Sequence, residues 1–180
     1  MAPTLWTLGH STRPIDEFIG LLRAYQISLL IDVRTIPRSR YNPQFNTDTL
    51  AQSLHNAGLQ YRHLPELGGL RKPKGDSAND GWRNASFRGY ADYMQTEEFH
   101  QAIEALMALG RREKTTVMCA EAVPWRCHRS LIADALMIRG WDIWHIMSSE
   151  KATPHSLTSF AQVQMERLTY PKPTNLPSLF

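Results

Sequence analysis

The sequence predicts an α/β domain with a mostly parallel sheet, and three observations carry that prediction. Short apolar runs alternate with segments of helical period along most of the chain. The runs are near-continuous rather than alternating, as in strands buried on both faces. The breaks between them are built from Gly, Pro, Asn and Asp.

The elements follow in order. "TLWTLGHS" is a strand ending in polar residues, and "RPIDEFIGLLRAY" is a helix with Ile15, Phe18, Ile19 and Leu22 at helical spacing. Ser11 or Thr12 is expected to cap it, with Pro14 in its first turn and Asp16 and Glu17 at its positive end. "ISLLIDVRTIP" is a second strand, stopped by Pro37. "NTDTLAQSLHNAG" is a helix with an Asn or Thr cap, Leu50 and Leu54 on one face, and Gly58 as its stop.

"LQYRHLP" reads as a third strand. From Pro65 to Ser86 no period is visible; a loop that long inside a compact domain is often functional. "FRGYADYMQTEEFHQAIEALMALG" returns to helix in two pieces, and "KTTVMCA" is a β-branched buried strand. "CHRSLIADALMIRG" is a helix closed by Gly140, and "WDIWHIM" is the last strand. A terminal helix is expected over "SLTSFAQVQMERL", followed by a proline-rich extended tail, "YPKPTNLPS".

The expected architecture is a single Rossmann-like α/β domain over residues 1–150, with about five strands, helices on both faces and the long loop above the strand ends. Residues 151–180 form the helix and tail. At 180 residues and 42% hydrophobic, one core is the natural solution.

The formal net charge of +3 is too small to argue for a polyanionic partner. The two cysteines, and an N-terminus that enters a strand directly, predict a reducing, cytoplasmic setting. No apolar run approaches the ~20 residues of a membrane helix. The sequence assigns neither oligomeric state nor cofactor.

Parallel sheets place ligands at the carboxyl ends of their strands. That rule gathers His10 and Ser11 from the first strand, Asp32 and Arg34 from the second, and Cys119 and Glu121 from the fourth. Asp32 and Glu121 are the candidate acid–base pair, with His10 or Cys119 assisting. The alternatives are that Asp32 pairs with Arg34 and that Glu121 binds backbone amides. Arg34, Arg126 and Arg129, with the helix start near Cys127 and His128, are candidate anion ligands; otherwise these arginines hold the turn through Asp134 or Glu121.

A thiol at that helix start, beside a histidine, is a conceivable nucleophile. The spacing departs from a phosphatase loop, because Arg126 follows Cys119 after six residues rather than five. Cys119, Cys127 and His128, with His10 or Glu121, are of zinc-binding type, but there is no Cys-x-x-Cys pair and no metal is assigned. Gly68, Gly69, Arg71 and Lys72 belong to a candidate lid, and Trp82 to a candidate base-stacking platform. His63 and His145 read as packed or hydrogen-bonded core histidines.

Together, "GHS", "IDVRTIPRSR", "LPELGGLR", "FRGYADYM" and "MCAEAVPWRCHRSLIADAL" resemble the domain of unknown function 488 family, across residues 4 to 147. The resemblance implies no particular reaction. The family's characteristic polar positions fall on His10, Ser11, Asp32, Arg34, Gly68, Gly69, Arg71, Cys119, Glu121, Cys127, His128 and Arg129. The expected function is an enzyme acting on a phosphate-bearing small molecule or nucleic-acid fragment by carboxylate-assisted hydrolysis or transfer. The alternatives are a non-catalytic nucleic-acid-binding module and a thiol redox protein.

Overall fold

A computed structural model describes residues 1–173. Five strands run parallel: β1 (Thr4–Gly9), β2 (Leu29–Asp32), β3 (Gln60–His63), β4 (Thr115–Cys119) and β5 (Asp142–Ile146). A short sixth, β6 (Ala152–Pro154), adds antiparallel to β5, giving the spatial order β3-β2-β4-β1-β5-β6. Its proline suits an edge strand, where one N–H is dispensable.

Helices cover both faces. α1 (Ile15–Ala24) and α2 (Thr47–Asn56) pack Phe18, Leu22, Leu50 and Leu54 on Leu8, Leu30 and Met118. On the other face lie α3 (Ala85–Tyr93), α4 (Glu97–Gly110) and α5 (Arg129–Met137). They pack Tyr90, Phe99, Ile103 and Leu131 against Leu5, Ile31, Val117 and Ile143. Every residue of β4 is buried, as its β-branched composition predicts. The domain is the single, Rossmann-like α/β unit expected.

The chain leaves β1 toward β2 but leaves β4 toward β5, so α1 and α5 fall on opposite faces. The adjacent β1 and β4 are therefore the switch point of the sheet, where a crevice opens between two diverging helices.

Helix ends combine expected and unexpected solutions. Gly58 and Gly140 follow α2 and α5 with φ of 76° and 81°, the left-handed stops that glycine permits. Asn84 caps α3 and Thr96 caps α4 through their side chains. Ser11 does not cap α1. That helix begins after Pro14 with no side-chain cap, and Ser11 lies upstream in a left-handed turn at φ 52°.

The terminal helix expected over Ser156–Leu168 is replaced by a hairpin of β7 (Gln162–Gln164) and β8 (Arg167–Thr169), turning at Met165 with φ 57°. Tertiary contacts override the helical spacing. Leu168 and Tyr170 are buried; Gln95 Nε2 donates to Leu168 O, and Tyr170 Oη donates to Asp134 Oδ2 at 2.8 Å. Val163 and Met165, which a helix would have aligned with them, are exposed. From Thr174 onward the expected tail lies outside the described residues.

Candidate active site at the β1–β4 switch point

A cavity of about 600 Å³ opens above the ends of β1, β2 and β4. His10, Ser11, Arg34, Arg38, Cys119 and Glu121 contribute to its wall. Gly69, Leu70, Cys127 and His128 close it from the long loop and the start of α5. Residues from three strands thus meet on one rim, but their side chains do different things.

Asp32 is fully buried and does not reach the cavity. Its Oδ1 accepts from Arg34 N and Nε, at 3.1 and 2.9 Å. Its Oδ2 accepts from Arg34 Nη2 at 2.6 Å and from Tyr61 Oη at 2.8 Å. Four donors occupy both oxygens, so this carboxylate holds Arg34 in place and has no lone pair facing a ligand. Arg34 also donates through Nη2 to Phe45 O and through Nη1 to His10 Nε2. Of the five N–H groups of a guanidinium, one on Nη1 is left for the cavity.

His10 stacks on Phe45 with centroids 4.2 Å apart, and its Nδ1 donates to Ser11 O at 2.7 Å. Burial lowers its pKa to about 4, against the bond to Ser11 and with help from the Arg34 charge. The ring is neutral, and both nitrogens are occupied. It orients Arg34 and is not a free base.

The β4 side is organised around Arg129, which is only 1% exposed. Its Nη1 donates to Cys119 Sγ at 2.9 Å and Glu121 O at 3.0 Å, and its Nη2 to Ala122 O at 3.3 Å. Among the described residues no carboxylate lies within ion-pair distance of it. Arg129 therefore turns beneath the loop after β4 and does not line the cavity as an anion ligand. A Cβ on Gly9 would fall 1.7 Å from Glu121 O and 2.8 Å from Arg129 Nη1, so only glycine lets this loop close over β1.

Cys127 Sγ donates to Cys119 Sγ at 2.8 Å, and both thiols are free. Burial opposes ionisation of Cys119, but the Cys127 hydrogen bond and the Arg129 charge outweigh it, and the Cys119 pKa is lowered. Cys127 moves the opposite way: its bond to Cys119 and its burial hold it well above the ordinary thiol value. Of the two, Cys119 is therefore the thiol that ionises first. His128 beside them is held down to about 4, first by burial and then by Arg129. It is neutral at the cavity wall.

The remaining expected ligands divide. Glu121 is exposed and lines the cavity, and it meets Cys119 and Arg129 through its backbone carbonyl. Ser11 and Gly69 line the wall. Gly68 does not: a Cβ there would lie 2.4 Å from Thr35 Oγ1, so the residue serves packing between loops. Arg71 lies over the Tyr93 ring at 3.6 Å and donates to Gly68 O, away from the cavity. Arg126 is exposed outside it.

Trp82 stacks on Phe87 and packs against Phe160 and Tyr170, and it does not line the rim cavity. The second half of the long loop is tied down by Asp92, which accepts from Lys74 N, Ser77 Oγ and Asn79 Nδ2. The part reaching the cavity is the short piece around Gly69 and Leu70.

Sequence reasoning passed over Tyr61, the fourth donor to Asp32, and assigned Arg38 no role. Their signals were position alone: Tyr61 sits on the strand beside Asp32, and Arg38 follows the β2 end. His63 and His145 are the hydrogen-bonded histidines expected: His63 Nε2 bonds Arg34 O at 2.7 Å, and His145 joins Thr7 Oγ1 and His155. Among the described residues no three His, Cys, Asp or Glu side chains converge as a metal site requires, and no helix is long and apolar enough to cross a membrane.

No curated protein and no solved structure matches the chain. The family model described as Domain of unknown function DUF488 matches residues 14–136, from the start of α1 through most of α5. That span is well over half of the 180 residues, and the chain belongs to the DUF488 family.

Proposed function

We propose that the protein is a thiol-dependent enzyme that holds a phosphate-bearing substrate at the rim and attacks it with the Cys119 thiolate. The carrying observation is the buried Arg129 guanidinium, with Cys119 Sγ at 2.9 Å and, among the described residues, no carboxylate within ion-pair distance. A guanidinium does not deprotonate in a protein, and a buried cation without a counter-charge is costly. Cys119 is the contacting group able to supply that charge, and the thiolate is the nucleophilic form.

The other cavity residues fit around this nucleophile. Arg38, exposed and outside any ion pair among the described residues, and the spare N–H of Arg34 offer donors to a phosphate. Attack by Cys119 at the electrophilic atom joins sulfur to the transferred group and expels the leaving group. The carboxylate of Glu121, a residue of the cavity lining, then accepts a proton from the water that releases that group. The proposal keeps the expected substrate class and shifts the chemistry from a carboxylate pair to a thiolate with one carboxylate.

The test is the pH dependence of Cys119 alkylation by iodoacetamide, followed by peptide mass spectrometry, beside turnover on a panel of phosphate esters. Reactivity should persist below the ordinary thiol range and lose that advantage in Arg129→Met, and Cys119→Ser should abolish turnover. Ordinary thiol titration of Cys119 in the unsubstituted protein would refute the reading. Nucleic-acid retention that falls steeply with salt, with no turnover on any ester, would favour the non-catalytic alternative.

A further inference from the structure

We propose that Cys119 and Cys127 form a reversible dithiol–disulfide couple that exchanges with low-molecular-weight disulfides entering the rim cavity. The inference deepens the thiolate reading above and rests on it. Its own support is the second sulfur. Cys127 Sγ lies 2.8 Å from Cys119 Sγ, both residues line the cavity, and both are free. Both cysteines are buried at the edge of the core beneath the cavity, and there the Cys127 S–H meets the Cys119 sulfur rather than a carbonyl oxygen.

The two sulfurs have unequal roles. Arg129 Nη1 contacts Cys119 Sγ at 2.9 Å, while Cys127 Sγ meets no charged side chain, only the Arg129 backbone N–H at 3.4 Å and the neutral His128 ring at 3.6 Å. Cys119 is thus the attacking sulfur. Its thiolate displaces one half of a disulfide R–S–S–R, forming Cys119–S–S–R and releasing R–S⁻. Cys127 then attacks the Cys119 sulfur of the mixed disulfide; its proton passes to the departing second half, which leaves as R–SH. The protein is oxidised by two electrons and the small disulfide is reduced to two thiol equivalents.

Oxidation also removes the negative partner of Arg129 and leaves the buried cation with carbonyl oxygens alone. The reduced form is favoured on that account. A couple whose reduced form is stabilised is a ready oxidant, so this disulfide is labile rather than structural.

The experiment uses the full chain, incubated with oxidised glutathione, quenched with an alkylating agent and read by intact mass. The unsubstituted protein should lose both alkylation sites without retaining glutathione, and reduced glutathione in excess should restore both. Cys127→Ser should trap one glutathione on Cys119, with Cys127→Ala as a second variant in case the first does not fold. Cys119→Ser should react at least tenfold more slowly. A mixed disulfide that accumulates in the unsubstituted protein would overturn the couple and leave the thiolate reading standing. Absence of any reaction, with ordinary thiol titration of Cys119, would overturn both. A disulfide that forms but resists reduced glutathione would overturn the exchange role.

Discussion

Two buried arginines stand at neighbouring strand ends, Arg34 after β2 and Arg129 after β4, with 8% and 1% of their surface exposed. Arg34 has a dedicated carboxylate: Asp32 meets it through two side-chain nitrogens, and Tyr61 and His10 complete the set. Arg129 has carbonyl oxygens and a sulfur. The first arrangement is electrically neutral and leaves a single Arg34 N–H to the cavity, so it serves chiefly as scaffold for the rim. On the proposed reading the second closes its charge when Cys119 ionises, which would place reactivity on β4.

The contrast is broken most directly by removing the charge on each side. Asp32→Ala should destabilise the protein by about 3–5 kcal/mol, because it leaves a buried guanidinium uncompensated. Equilibrium unfolding in denaturant measures this; a loss below about 1 kcal/mol would mean that Arg34 finds another counter-charge. Arg129→Met should cost less, about 1–3 kcal/mol, mainly for the carbonyls of Glu121 and Ala122 that lose a donor. Its larger effect should fall on Cys119, whose alkylation should shift to higher pH. Equal destabilisation by the two variants would erase the distinction between the sites.

His10 sharpens the comparison through pH. Its folded pKa of about 4 lies below the ordinary 6.5, so between those values the unfolded chain binds more protons than the folded one. The stability contribution is present above pH 6.5 and is lost as pH falls toward 4. From pH 7 to pH 5 the loss assigned to this residue is about 1–2 kcal/mol. His10→Gln should shrink the fall in unfolding free energy over that interval by this amount. An unchanged fall would show that His10 is not held neutral by its burial beside Arg34.

The architecture was legible because parallel strands buried on both faces appear as unbroken apolar runs, and β2 and β4 do so plainly. That the strands ending near His10, Asp32 and Glu121 lie side by side follows from the sheet order. Which of these residues faces a ligand does not. Asp32 ends its strand on the rim, yet its side chain is sealed by Arg34 two residues on and by Tyr61 from β3, a pairing that depends on strand order. Arg129 stands at a helix start, the usual place for an anion ligand, but the space beneath Gly9 draws it inward. The hairpin after β6 escaped notice because Leu157, Phe160 and Leu168 satisfy a helical period, while the anchors at Gln95, Asn79 and Asp134 lie far off in sequence.

Arg38 supplies the smallest effect on stability and a clean separation of binding from scaffold. It lines the cavity, is exposed, and its guanidinium has no protein partner among the described residues. Arg38→Gln should therefore leave unfolding free energy within about 0.5 kcal/mol of the unsubstituted protein. Its effect should appear in ligand retention: a phosphate ester held by this guanidinium loses a charge-assisted hydrogen bond, worth about 1.5–3 kcal/mol, or more than tenfold in affinity. Isothermal titration with inorganic phosphate, beside the same titration of Arg34→Gln, distinguishes the two arginines. Weakening in Arg38→Gln without loss of stability, against loss of both in Arg34→Gln, follows if one arginine serves the ligand and the other the rim. Equal affinity in Arg38→Gln and the unsubstituted protein would remove Arg38 from the site and shift recognition of the substrate to the backbone and Ser11.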